Sequence, residues 1–481
     1  MEYLFLSLIL PIFTVALLFY AYKSKSNHKS NLHNLPPGSF GWPIIGETLE
    51  FLYWEPNKFL GDRMKNYSPK IFKTKIFGEP VVVLCGIAGH KFIASNEASL
   101  FVSWRPPSMQ KLLRSSYQKV ESAIIPRESE VHAIRAPGFI RPEALVQYVE
   151  GMDFMVQEHL DMYWTNKQKV EVYNLVQLLI MNLATRFFAG LDQDHDRVAK
   201  ISKLMATMSP SMTSFPAVKL PGTEFHRAQK AADDLIKEFQ VLIKEKKEAK
   251  SRGVEMHDLL SYMIFSTDSS GQFMPELEVA GKFMGMLSAS FSSPAIATTF
   301  LMKYLGQRPD VYAQVRREQL AVANSKKSGE ALNWDDMTKM KYSWNVALEV
   351  MRLIPPAQGT FREAKSDFTY EGYTIPKGWK IYWTVGTTNK DPEYFPSPEE
   401  FDPTRFEKAK TLPHLNIPFG SGPRMCPGRE YTRLQILCFL HNVVKRFKWE
   451  LINPNEKIIG WMSPTPAEGL LVRLQPHDDS A

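Results

Sequence analysis

The residues best equipped to do chemistry lie in one short string. Residues 418–430 read Pro-Phe-Gly-Ser-Gly-Pro-Arg-Met-Cys-Pro-Gly-Arg-Glu, and an apolar, helix-forming stretch from Tyr431 to Val444 follows. Cys426 is the pivot. A thiol binds a metal as its thiolate, and a thiolate needs hydrogen-bond donors and positive charge nearby. Gly420, Gly422 and Gly428 let backbone amides come close and permit positive φ, while Arg424 sets a fixed cation two residues before the sulfur. The positive N-terminal end of the following helix points at the same atom. A single thiolate held in this way can ligate haem iron axially, pushing electron density onto it and favouring O–O cleavage. An isolated cysteine would read as a buried structural residue; it is Phe419, Gly422, Arg424, Cys426 and Gly428 in combination that point to a ligand. Cys85 and Cys438 sit in apolar runs and read as structural.

A second constellation is charged. Glu349 and Arg352 are three residues apart, on one face of a helix that ends before Pro355-Pro356, and Phe401-Asp402-Pro403-Thr404-Arg405-Phe406 comes further along. The cysteine string resembles the haem-binding signature of the cytochrome P-450 superfamily, Phe-x-x-Gly-x-Arg-x-Cys-x-Gly, at all five fixed positions. By that resemblance the cofactor is haem b with Cys426 as its proximal ligand, and Glu349, Arg352 and Arg405 form a buried structural ion network. The haem propionates need cationic partners. The resemblance offers Arg424, Arg362 in Gly359-Thr360-Phe361-Arg362, and Arg135, where Glu130 to Arg135 matches the family's Trp-x-x-x-Arg with Val131 in place of Trp.

One departure stands out. The family's long central helix carries an acid–alcohol pair that relays protons to iron-bound dioxygen, and the best register here is Ala289-Ser290-Phe291-Ser292-Ser293-Pro294. Ser292 stands for the acid and Ser293 for the alcohol; Ser293 can still donate a hydrogen bond, but Ser292 cannot act as an acid near neutral pH. Either ordered water and Ser293 carry the protons, or a substrate hydroxyl completes the relay in an atypical oxidation or rearrangement.

These residues need a scaffold, and the chain of 481 residues is long enough to bury a large core. Its 44% apolar and 23% charged residues exclude wholesale disorder, and three cysteines exclude a disulfide-stapled scaffold. The net charge of +7 is scattered, without the long Lys/Arg run that tracks nucleic acid, so no nucleic-acid partner is expected. Tyr3 to Ala21 is almost wholly apolar and uncharged, with Lys23, Lys25 and Lys29 after it. It reads as an uncleaved single-pass anchor over residues 1–22 that leaves the rest of the chain in the cytosol. Residues 23–43 are a polar and proline-rich hinge containing Leu35-Pro36-Pro37-Gly38, and residues 44–481 read as one haem-thiolate domain. Glu143 to Trp164, Val170 to Ala189, Glu224 to Lys247 and Glu276 to Leu305 carry helical periodicity, while Ile71 to Cys85 and Phe368 to Trp383 read as hairpins. The expected fold is therefore mainly α with small β-sheets.

The chain has no Gly-x-Gly-x-x-Gly after a strand and no Walker loop, so its electrons must come from a separate protein. The resemblance implies NADPH–cytochrome P-450 reductase, an endoplasmic reticulum membrane location, and an acidic docking face that would meet Arg429 and Arg433. Gly41 to Thr48, Gly359 to Ala364 and Tyr373 to Lys380 look like the plant clan of triterpenoid oxidases and taxane hydroxylases. The implied activity is monooxygenation of a bulky, apolar terpenoid or steroid-like substrate, with Met286, Phe291 and Ile354 to Gln358 as candidate walls. The alternatives are a haem-thiolate enzyme that rearranges or dehydrates an already oxygenated terpenoid, and a catalytically silent haem protein.

Overall fold

The computed structural model describes Thr14 and residues 34–97, 99–114, 142–191, 194–267, 270–408, 414–415, 418–460 and 462–477. The expected anchor apart from Thr14, the polar half of the hinge and Arg135 lie outside the described residues. The chain divides into two compact units, Met1–Trp104 with Gly359–Thr387, and Arg105–Gln358 with Thr388–Ala481.

The first unit is built on a five-stranded sheet. Helices α1 (Thr48–Tyr53) and α2 (Pro56–Asn66) precede strands β1 (Ile71–Ile76), β2 (Glu79–Leu84) and β3 (Phe101–Trp104). The second segment adds β4 (Gly359–Ala364), β5 (Phe368–Tyr370), β6 (Tyr373–Ile375) and β7 (Lys380–Thr384). The sheet order is β1-β2-β7-β4-β3, parallel only between β2 and β7. Both hairpins foreseen in the sequence form, and both turn on a non-glycine–glycine pair at positive φ: Phe77-Gly78 joins β1 to β2, and Glu371-Gly372 joins β5 to β6. The second hairpin stops at Ile375, because β7 pairs with β4 and β2 and not with β6. Phe51 packs edge-to-face against Phe59, Phe77, Phe361 and Tyr382 at 5.2–6.1 Å and centres an aromatic core.

The described part of the hinge is fastened to this unit. The Pro37 carbonyl accepts the Lys73 N–H at 2.8 Å, the Pro36 carbonyl accepts Lys73 Nζ at 2.7 Å, and the Asn34 carbonyl accepts the Thr374 N–H at 3.0 Å. Prolines cannot donate to a strand, but their carbonyls can still accept from one. Gly38, at φ +138°, lies so close to β1 that a Cβ there would sit 2.1 Å from the Lys73 carbonyl oxygen.

The second unit is helical. Its chief helices are α3 (Pro142–Tyr163), α4 (Val172–Ala189), α5 (Glu224–Ser251), α6 (Glu276–Gln307), α7 (Lys341–Leu353) and α8 (Arg429–Arg446). The Thr223 side chain caps α5 by accepting the His226 N–H, and Gly190 ends α4 at φ +62°. In α5 the periodic stripe Ala228, Ala232, Leu235, Ile236, Phe239, Leu242 and Ile243 is buried throughout. At 32 residues α6 runs about 48 Å and packs against α4, α5, α7 and α8. The α4 helix is long and apolar enough to cross a membrane by composition, yet most of it is buried here, as a core helix would be. Residues 169–171 leave the helix foreseen from Val170 and pair with Leu471–Pro476, which also pairs with Phe447–Leu451.

Candidate functional site

The loop before α8 is closed by its own backbone. The Cys426 N–H donates to the Phe419 carbonyl at 2.8 Å, and a 3-10 turn over Gly422–Arg424 lets the Met425 N–H reach the Gly422 carbonyl at 3.1 Å. Gly420 and Gly422 adopt φ of +75° and +71°, which other residues occupy only with strain. Gly428 differs: at φ −84° it is the N-cap of α8 and has no need of glycine's left-handed freedom. Its backbone N–H donates to the Cys426 sulfur, and a Cβ on it would lie 3.8 Å from Sγ.

Burial pushes the Cys426 thiol above its ordinary range, and the Gly428 N–H only partly offsets this. A cation bound at the sulfur would act in the same direction as the Gly428 N–H. Cys85 and Cys438 are more deeply buried, and both thiols are pushed up by desolvation. Cys426 is the one cysteine of the three that is only half-buried.

One residue not singled out in the sequence, Trp344 of α7, fixes this loop. Phe419 stacks on Trp344 of α7 with centroids 6.3 Å apart, and Arg433 of α8 lies 5.9 Å over the same ring while donating to the Met337 carbonyl. At the far end of α8, Asn442 donates to Asp153 of α3 at 2.6 Å, and His441 is held by Gln319 at 2.9 Å. Burial lowers the His441 pKa to about 3, so the ring stays neutral in this contact.

The structure brings Glu349, Arg352 and Arg405 together. Arg352 grips Glu349 bidentately at 2.7 and 2.8 Å, and its remaining N–H groups reach the carbonyls of Asn389, Pro398 and Glu400. The Asp402 N–H donates to Glu349 at 3.0 Å, and Arg405 Nε lies 3.4 Å from the same carboxylate. Arg405 also donates to the carbonyls of Pro396 and Ser397. These carbonyl partners are 37–48 residues from Arg352 in sequence, and no motif marks them.

The other candidates are scattered. Arg362 lies on β4 in the first unit, paired with Glu97 at 2.6 Å and bonded to Thr360 Oγ1 and the Phe361 carbonyl. Arg424 lies in the second unit beside Cys426. Ser292 and Ser293 sit half-buried at the midpoint of α6, and neither hydroxyl makes a hydrogen bond among the described residues. Phe291 is wholly buried and reads as core, whereas Met286 and Ile354 are partly exposed.

The residues present fit a haem. The loop offers one sulfur with a backbone donor against it. On α6, protein leaves the midpoint uncovered: Ala289 is exposed and nothing lies within 4 Å of a Cβ built on Gly285, although Leu287, Ser288, Phe291 and Pro294 are buried. In that role Cys426 would hold the iron, and Arg424 is the nearest cation in sequence for a propionate. Pro294 has no N–H, so the Ser290 carbonyl lacks the donor a regular helix would give it.

Comparisons with known proteins agree with this geometry. The family model described as cytochrome P450 matches residues 36–472. The chain is 46% identical over 484 residues to a beta-amyrin 28-monooxygenase of Vitis vinifera, covering 99% of this chain and 100% of that protein. It is 44% identical over 458 residues to a beta-amyrin 6-beta-monooxygenase of Solanum lycopersicum, covering 94% and 95%. Among solved structures it resembles the retinoic-acid-bound cyanobacterial CYP120A1, with a TM-score of 0.80 and 29% identity over 92% of this chain and 100% of that one. The chain belongs to the cytochrome P-450 family and is a haem-thiolate monooxygenase.

Proposed function

We propose that this enzyme hydroxylates a triterpenoid of the β-amyrin type at the endoplasmic reticulum membrane. The observation that carries the reading is full-length likeness to two beta-amyrin monooxygenases at 46% and 44% identity. Their names differ in the carbon oxidised, so the likeness supports the substrate class and not the position. Both are monooxygenases, which favours hydroxylation over rearrangement of an oxygenated substrate.

Bound haem supplies the oxygen chemistry: one oxygen atom of O2 enters a C–H bond and the other leaves as water, with two electrons and two protons consumed. The chain's own residues do the rest. Cys426 ligates the iron, and Arg424, Arg362 and Arg135 are the candidates for the propionates. Ser292 and Ser293 hold protons at their hydroxyls, with ordered water between them and solvent in place of a carboxylate. Met286 and Ile354 supply apolar wall, since a triterpenoid offers few polar handles. Electrons come from NADPH–cytochrome P-450 reductase, whose acidic face meets Arg429, half-exposed beside the cysteine loop. Residues 1–22 anchor the enzyme and leave the catalytic part in the cytosol.

The test is coexpression with that reductase in β-amyrin-producing cells. The expected result is an NADPH-dependent product carrying one added oxygen atom. A protein with an intact thiolate-type ferrous–CO spectrum and no oxidised triterpenoid would overturn the substrate assignment.

A further inference from the structure

Helix α3 turns to solvent a row of side chains that its own fold does not use. Its inner face packs on α4 and α8. Along the outer side Glu143, Val146, Glu150, Phe154, Glu158 and Met162 follow one another at three or four residues, and all are exposed. Val146, Phe154 and Met162 are 46%, 52% and 48% exposed. Isolated exposed apolar residues are ordinary; three on one line of about 24 Å mark a contact surface. The row carries charge of one sign only. No Lys or Arg occurs in α3, and among the described residues Glu143, Glu150 and Glu158 have no ion-pair partner, whereas Asp161 is taken by Arg446. Two α3 faces would set carboxylate against carboxylate, so the partner must bring cations around an apolar contact.

The same chain carries such a surface on α5. Lys230, Lys237 and Lys244 repeat every seven residues on its exposed side, and Val241, 49% exposed, stands between the last two. Two carboxylates that would blunt this row, Glu238 and Glu245, turn instead to Arg197 at 3.0 and 2.8 Å. Lys237 and Lys244 meet only neighbours on their own helix, Asp234 at 2.9 Å and Glu248 at 3.9 Å. Exposed pairs of that kind contribute little and exchange readily.

The two rows share a register. Glu143 and Glu150 are seven residues apart and Glu158 follows after eight, intervals of about 10–12 Å on a helix, as on α5. Laid parallel with Glu143 beside Lys230, the helices bring Glu150 beside Lys237 and Phe154 beside Val241. Glu158 then falls within one residue of Lys244, and Met162 beside Ala249. Opposite charges at this spacing along an apolar seam are what set partner and register where two helices pack. We infer that α3 of one copy docks along α5 of a second copy of this chain. The two faces differ, so the contact is heterologous and leaves one α3 and one α5 free for further copies, in rows or rings. It weakens with salt, because its charges lie at the surface.

The test uses the full-length holoenzyme in non-ionic detergent at low salt, with a donor or an acceptor fluorescent protein fused to its C-terminus. A retained thiolate-type ferrous–CO spectrum confirms that each variant is folded. Energy transfer is expected between unsubstituted copies. Glu150→Lys with Glu158→Lys should lower it several-fold, and so should Lys237→Glu with Lys244→Glu. Mixing the two variants should restore it, because each reversed face then meets its reversed counterpart. Should a charge-reversed variant fail to fold, Phe154→Cys copies mixed with Val241→Cys copies answer the same question. Mild oxidation should join the two variants by a disulfide and leave each variant alone unlinked. No transfer between unsubstituted copies, or transfer that survives either reversal, would overturn the inference. Loss in both variants without recovery in the mixture would overturn it as well, since the two faces would then not meet each other.

Discussion

The ion network and the cysteine loop belong to the same unit and solve opposite problems. Glu349 and Arg352 have side chains 0% exposed, and protein groups satisfy them on every side: a bidentate pair, three carbonyls, one backbone N–H and Arg405. Cys426 is half-buried, receives one backbone N–H, and its thiol is pushed up by burial. The network is complete with protein alone, whereas the loop sets a single backbone N–H against its sulfur. A buried charge that the chain has fully compensated serves the fold; a ligand atom left partly uncompensated is available for chemistry.

Breaking the network gives the largest expected effect. Arg352→Leu leaves the buried Glu349 charge with only Arg405 and the Asp402 N–H, and strips the donor from the Asn389, Pro398 and Glu400 carbonyls. A loss of about 3–5 kcal/mol is expected, seen as a fall in folded, haem-loaded protein. Adding Glu349→Leu should recover part of it, because the stranded charge is gone. A single variant that unfolds like wild type in urea would show that the network does not hold the fold.

The loop glycines sharpen the contrast at smaller scale. Gly422→Ala forces a left-handed φ on a residue with a Cβ and should cost about 1–2 kcal/mol. Gly428→Ala keeps an ordinary φ, keeps the N–H to sulfur, and places its Cβ at van der Waals distance, so it should be close to neutral. Thermal unfolding of the two holoenzymes decides it. Equal losses would mean that backbone conformation is not what Gly422 provides.

What the sequence made legible was local. The three-residue spacing of Glu349 and Arg352 placed both on one helix face, and the apolar pattern of residues 276–305 came within two residues of the observed end of α6. The string around Cys426 marked a candidate ligand because its glycines, cation and helix start are neighbours in the chain. Distant partners were hidden: the carbonyls that receive Arg352, the Trp344 ring under both Phe419 and Arg433, and the parallel β2–β7 pair all depend on tertiary placement. Gly428 uses only the close approach that its lack of a side chain allows and not the positive φ that glycine also permits, which the sequence did not separate. Nor does a motif report the burial that sets the Cys426 thiol against its one hydrogen bond from Gly428.

The ligand assignment is tested most directly by the ferrous–CO difference spectrum of two cysteine variants, both made in the full-length protein. Cys426 and Cys438 lie twelve residues apart, one in the loop and the other wholly buried in α8. Cys426→Ala should lose the thiolate-type band entirely, and Cys438→Ala should keep it at full position. A thiolate-type band that persists in Cys426→Ala would contradict the account.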